Sequence, residues 1–150
     1  MKFTLAGLAA VLALIFILPD YTEAQDASLL ASGGFDNQEY QIRGDWRIEA
    51  RADGNYIVLS DDFRTRRGPD LKIFFSTNAA VDVNGENGDE GFFLTALDSN
   101  RGGQAYRLPD DFALEDYSSV VIQCEQFSKL WGAGTINLAT GSELMDASMR

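Results

Sequence analysis

Cys124 is the only cysteine in the 150-residue chain, and the chain has no histidine. A chain without histidine lacks the commonest general base and the commonest metal ligand. Ser-His-Asp and Cys-His nucleophile arrangements are excluded with it. One cysteine also excludes an internal disulfide framework and a paired-cysteine redox motif. Three roles stay open for Cys124: a redox or metal-binding thiol, a bond to a second chain, or a small apolar side chain in a core. In the run Ser118-Ser119-Val120-Val121-Ile122-Gln123-Cys124, alternation puts Val120, Ile122 and Cys124 on one face. Val121, Gln123 and Glu125 share the other. The thiol therefore falls on the apolar face, where a cysteine behaves as a small apolar side chain out of reach of reagents. Glu125 works against a thiolate, and Lys129 opposes that only where the chain folds back on itself. Tyr117, Phe127 and Trp131 lie close in sequence, and either relay an oxidising equivalent or form ordinary core.

Oxygen donors gather in a second place. Asp82, Asn84, Glu86 and Asp89 alternate with glycines in the stretch from Asp82 to Gly91, a flexible loop of hard ligands that suits calcium. The loop departs from the helix-loop-helix calcium pattern, with Asn87 at the sixth position and Phe93 at the twelfth. As plain structure it is a solvated acidic hairpin loop. Arg64, Arg66 and Arg67 make a basic patch that either receives an anion or offsets Asp61, Asp62 and Asp70 beside it. Asp110, Asp111, Glu115 and Asp116 lie in a surface-like connection with no apolar pocket to split their pKa values, so paired acid catalysis is not expected. Gly102-Gly103 has no helix after it to form a phosphate cradle. No nucleophile–base pair is visible.

The elements that must position these groups read as β structure. Trp46, Ile48 and Ala50 alternate with Arg47, Glu49 and Arg51, and a compact strand from Tyr56 to Leu59 follows a turn at Asp53-Gly54-Asn55. Leu71, Ile73 and Phe75 share a face, with Phe74 on the other, which implies cover on both sides. Further strands are expected at Phe92 to Leu94, Tyr106 to Leu108, Val120 to Cys124 and near Thr135 to Leu138. Leu29 to Ser32 and Leu114 to Ser118 read as short helical turns. Many short strands separated by Gly, Pro and Asn turns predict a single all-β domain, an antiparallel sandwich or barrel, over residues 28–138. Residues 139–150 read as a flexible tail.

The compartment is read from the N-terminus. Met1 and Lys2 give a cationic start, Leu5 to Leu18 is almost unbroken apolar sequence, and Thr22, Ala24 and Gln25 suit signal-peptidase cleavage. The run is shorter than the roughly 20 residues that span a bilayer. A signal peptide over residues 1–24 and export to the periplasm or the extracellular space are expected, with membrane contact only before cleavage. The formal charge of −11 repels nucleic acid and anionic lipid, so neither is an expected partner.

Three ordered stretches carry a resemblance: LSDDFRTRRGPDLKIFFS from Leu59 to Ser76, NRGGQAYRLP from Asn100 to Pro109, and LEDYSSVVIQCEQFSKLWGAGTI from Leu114 to Ile136. Together the chain resembles the DM-thirteen domain from about Leu30 to Leu138. The resemblance implies an all-β exported module, of a family often found beside haem-binding or redox domains. It implies a part in electron transfer through Cys124, with a separate redox or surface protein as partner, since no second domain is present. Many members carry a histidine before the glycine that corresponds to Gly44. Here the stretch is Glu39-Tyr40-Gln41-Ile42-Arg43-Gly44, and a role resting on that histidine is not carried over. The alternative is a non-catalytic binding module in which Cys124 is core.

Overall fold

The computed structural model describes residues 27–140, so the signal peptide expected over residues 1–24 and most of the expected tail lie outside the described residues. Twelve strands follow one another: β1 (Ser28–Gly33), β2 (Asn37–Gln38), β3 (Ile42–Arg43), β4 (Trp46–Arg51), β5 (Gly54–Leu59), β6 (Arg64–Thr65), β7 (Leu71–Ser76), β8 (Phe92–Ala96), β9 (Gln104–Arg107), β10 (Ser119–Cys124), β11 (Lys129–Thr135) and β12 (Asn137–Leu138). They form two five-stranded antiparallel sheets, in the orders β12-β1-β4-β5-β9 and β2-β11-β10-β7-β8. A separate two-stranded ribbon pairs β3 with β6. The all-β fold expected from the sequence is the one observed. Among the described residues no helix is long and apolar enough to cross a membrane.

The period-two pattern explains the main core. Ala31, Trp46, Ile48, Ile57 and Leu59 of the first sheet meet Ile73, Phe75, Val120, Ile122, Cys124 and Trp131 of the second. The alternate residues of the second sheet are buried too. Phe74, Val121, Leu130 and Ala133 pack under Ala80 and Val83, so this sheet is covered on both faces. All six residues of β10 are buried, as befits a strand that lies between β7 and β11.

Several local expectations are corrected. Leu29 to Ser32 is not a helical turn but the centre of β1, paired with β4 across a bulge at Leu30. The β4–β5 turn falls at Ala52 and Asp53, one residue earlier than expected, because Gly54 already pairs with Arg51 and enters β5 at φ 141°. Strand β11 escapes the sequence reading because Gly132, Ala133 and Gly134 dilute its pattern. Those glycines are dictated by close approach. A Cβ on Gly134 would collide with the Gly34 carbonyl, and one on Gly132 would reach the Ile42 side chain.

Candidate functional site

Cys124 ends β10 in the main core, 0 % exposed. It pairs with Leu71 on one side and with Lys129 on the other. The chain does fold back to bring Lys129 beside it, through a short 3-10 turn at Glu125–Phe127 that closes on Ser128 in the left-handed region. Both nearby charges are engaged elsewhere. Lys129 forms an ion pair with Glu39, and Glu125 forms one with Lys72. The three aromatics near Cys124 in sequence do not gather around it. Tyr117 stacks on Phe112 at 4.9 Å, meets Phe75 edge-on and Phe92 at a tilt, whereas Phe127 is 62 % exposed. Trp131 alone shares the buried core with the thiol. Its indole N–H donates to the Arg66 carbonyl at 3.0 Å, and its ring lies 4.3 Å from Tyr40.

The acidic loop behaves as a cover for the second sheet. Its asparagines close it on itself: Asn84 Oδ1 accepts from the Glu86 amide at 2.8 Å, and Asn87 Oδ1 accepts from the Asn84 amide at 2.7 Å. Asn37 Nδ2 then donates to the carbonyls of Ala80 and Val83, at 2.9 and 2.7 Å. Gln123 Nε2, from the outer face of β10, donates to Gly85 at 2.9 Å. Asp82, Asn84 and Glu86 are exposed, and among the described residues no three acidic, cysteine or histidine side chains converge. The carboxylates of Asp82, Glu86 and Asp89 thus lie near one another in sequence without converging, and Asn84 is engaged by the Glu86 amide.

The cations separate into two populations. Arg47, Arg51, Lys72, Arg107 and Lys129 each pair with a carboxylate. Arg43, Arg64, Arg66, Arg67 and Arg101 are exposed and make no ion pair among the described residues. The expected offset of Arg64, Arg66 and Arg67 by Asp61, Asp62 and Asp70 does not occur. Asp62 accepts from the Ser60 hydroxyl, and Asp70 faces Lys72. The ribbon instead opens a pocket of about 480 Å³ lined by Tyr40, Gln41, Arg43, Arg64, Thr65 and Arg66. Arg66 lies over the Tyr40 ring at 5.4 Å, and Tyr40, backed by the buried Trp131, forms one wall.

A family model described as electron transfer DM13 matches residues 34–136. The chain belongs to the DM13 family. That span takes in every strand from β2 to β11, with both the Cys124 strand and the arginine ribbon inside it. No curated protein and no solved structure matches the chain.

Two buried polar residues of this DM13 chain lay beyond the sequence reading. Glu49, expected to point outward into solvent, is 6 % exposed. It sits between Arg47 and Arg51, which donate to it at 2.7 and 2.8 Å. Burial raises its pKa, but the hydrogen bonds and charges of the two arginines outweigh that and hold it below the ordinary carboxylate value. The i−2 and i+2 arginines were the available signal, since such neighbours leave the same strand face. Gln123 is fully buried, and its Oε1 is the one buried side-chain oxygen or nitrogen without a hydrogen-bond partner among the described residues. Arg43 and Arg101 were missed for want of any local signal. They join Arg64 only through pairing across the ribbon.

Proposed function

We propose that this chain is an exported DM13 module that acts by binding, with Cys124 serving as core rather than as a working thiol. The observation that carries the reading is the complete burial of Cys124 in a strand flanked on both sides. A sealed thiol cannot meet a soluble thiol, disulfide or second chain without local unfolding. Export is supported by the cationic start, the apolar run from Leu5 to Leu18 and the small residues at Thr22 and Ala24. The partner is a separate molecule, and the cluster of unpaired arginines is the surface best suited to receive it.

The second reading is electron transfer through Cys124, as the family description suggests. The contact of Trp131 with Tyr40 at 4.3 Å favours it, because that pair leads from the cysteine's core to the ribbon pocket. A separate redox protein would be the electron donor or acceptor. Maleimide labelling followed by mass spectrometry decides between the two together with voltammetry. The binding reading expects no label on the native protein, one label per chain in denaturant, and no voltammetric wave that depends on Cys124. Prompt native labelling, or a wave present in the wild type and lost in Cys124→Ala, would overturn it.

A further inference from the structure

The arginine ribbon carries the inference furthest. Arg43 and Arg64 are direct cross-strand partners, and Arg64 forms a bridge with Arg101 on its other side. Side chains of directly paired residues leave the same face of a ladder, so the side chains of Arg43, Arg64 and Arg101 start from one face in a row across three chain segments. Adjacent members are about 5 Å apart at the backbone. Like charges placed opposite one another destabilise a ladder. Among the described residues no carboxylate forms an ion pair with them, although the chain carries 23 acidic residues against 12 basic ones. The pocket is lined by Arg43, Arg64 and Arg66 and by no acidic residue, with the Arg66 guanidinium 5.4 Å from the Tyr40 ring centre and Arg101 in the row outside the lining. The hydroxyl of Thr65 is turned onto the Gln41 carbonyl, which ties the two strands together beneath the arginines.

We propose that this pocket binds a compact ligand carrying two or more oxyanion groups about 5 Å apart, held bidentately by Arg43 and Arg64 with Arg101 extending the row and Arg66 closing it. The ribbon stores a repulsion that a multivalent anion relieves and a single small anion relieves only in part. The pocket volume fits a small molecule rather than a flat protein contact. The site rests on the binding reading of the chain and names its ligand class. Labelling of Cys124 tests that reading without any anion present, so the two failures are distinguishable.

The test is thermal melting and calorimetric titration of the full chain at low ionic strength, with inorganic tripolyphosphate, citrate and orthophosphate as probes. Tripolyphosphate, citrate or both are expected to raise the Tm and to bind at least about tenfold more tightly than orthophosphate. Response to tripolyphosphate alone identifies a phosphate ligand, and response to citrate alone a polycarboxylate. Arg64→Gln is expected to remove the response while raising the Tm of the protein without anion. Arg51→Gln, outside the ribbon, keeps the anion response. If Arg64→Gln does not fold, Arg43→Gln and Arg101→Gln serve in its place. A Tm indifferent to both polyanions overturns the proposal. So does an undiminished response in the ribbon variants, or a lower anion-free Tm in them, which would make the arginines structural props.

Discussion

Replacing the sulfur of Cys124 with oxygen should harm this protein more than removing the sulfur altogether. The side chain is 0 % exposed and shares its core with Val120, Ile122 and Trp131. Cys124→Ala deletes one heavy atom from a packed site, a change expected to cost about 1 kcal/mol in lost contact and residual cavity. Cys124→Ser loses much of the same contact and adds a hydroxyl that must be taken out of water. Without a partner that hydroxyl costs a further 1 to 3 kcal/mol or so. The expected order of stability is therefore wild type, then Ala, then Ser. Urea unfolding at unchanged slope reads the order directly, because each kcal/mol moves the midpoint by about 0.3 to 1 M. A serine variant as stable as the alanine one would mean that the site offers a polar partner or water. The reasoning from an apolar, sealed thiol would then fail, and with it the binding reading of the chain.

Three further outcomes follow from the same coordinates. Glu49 has a folded pKa below its ordinary value, so its contribution to stability is present above about pH 4.3 and lost as the pH falls through the lower folded value. Glu49→Gln should lower stability at pH 7 by about 2 kcal/mol, and the gap to wild type should close toward pH 3 in chemical unfolding; a gap independent of pH would show that the arginines do not hold the carboxylate ionised. Gly134→Ala should cost about 3 kcal/mol or more, because its Cβ meets the Gly34 backbone rather than a side chain that can move. A near-neutral effect in unfolding would show that β11 and the segment at Gly34 can separate there. Because the Asp82–Asp89 loop spends its asparagines on its own turns, added calcium and added chelator should leave the Tm unchanged. A Tm that rises with calcium would establish the ion site that the sequence suggests there.

The parts of the fold legible in the sequence are those governed by period-two burial. Leu71, Ile73 and Phe75 against Phe74 gave both the strand and its double cover, and Val120, Ile122 and Cys124 gave the inward face of β10. What escaped the reading depended on contacts between distant segments. Strand β11 was hidden because its glycines answer to Gly34 and Ile42, far away in the chain. Gln123 was read as the outer, polar side of a half-buried strand. It is buried because residues from Ala80 to Gly88 fold over that side, an arrangement no local pattern encodes. The site divides in the same way. Arg64 and Arg66 were visible as neighbours in sequence, whereas their relation to Arg43 and Arg101 exists only in the pairing.

The placement of charge favours the ribbon over the sheets as the surface for the proposed anion. The second sheet has given up both faces to packing, so its central strands can present nothing to solvent. On the outer face of the first sheet Arg47 and Arg51 are both turned onto the buried Glu49 carboxylate and so are engaged before any ligand arrives. The acidic loop is held down by Asn37 and Gln123 as a cover. The ribbon is the one two-stranded element, attached beside the sheets and free of any packing duty for its arginines. On a chain of net charge −11 the ribbon arginines make a local positive patch, while the acidic surface around it repels anions. An anion approaching this protein is thus turned away over most of the surface and drawn to one place. Rising ionic strength screens the short-range attraction of the guanidinium groups, so affinity at the ribbon should fall with salt.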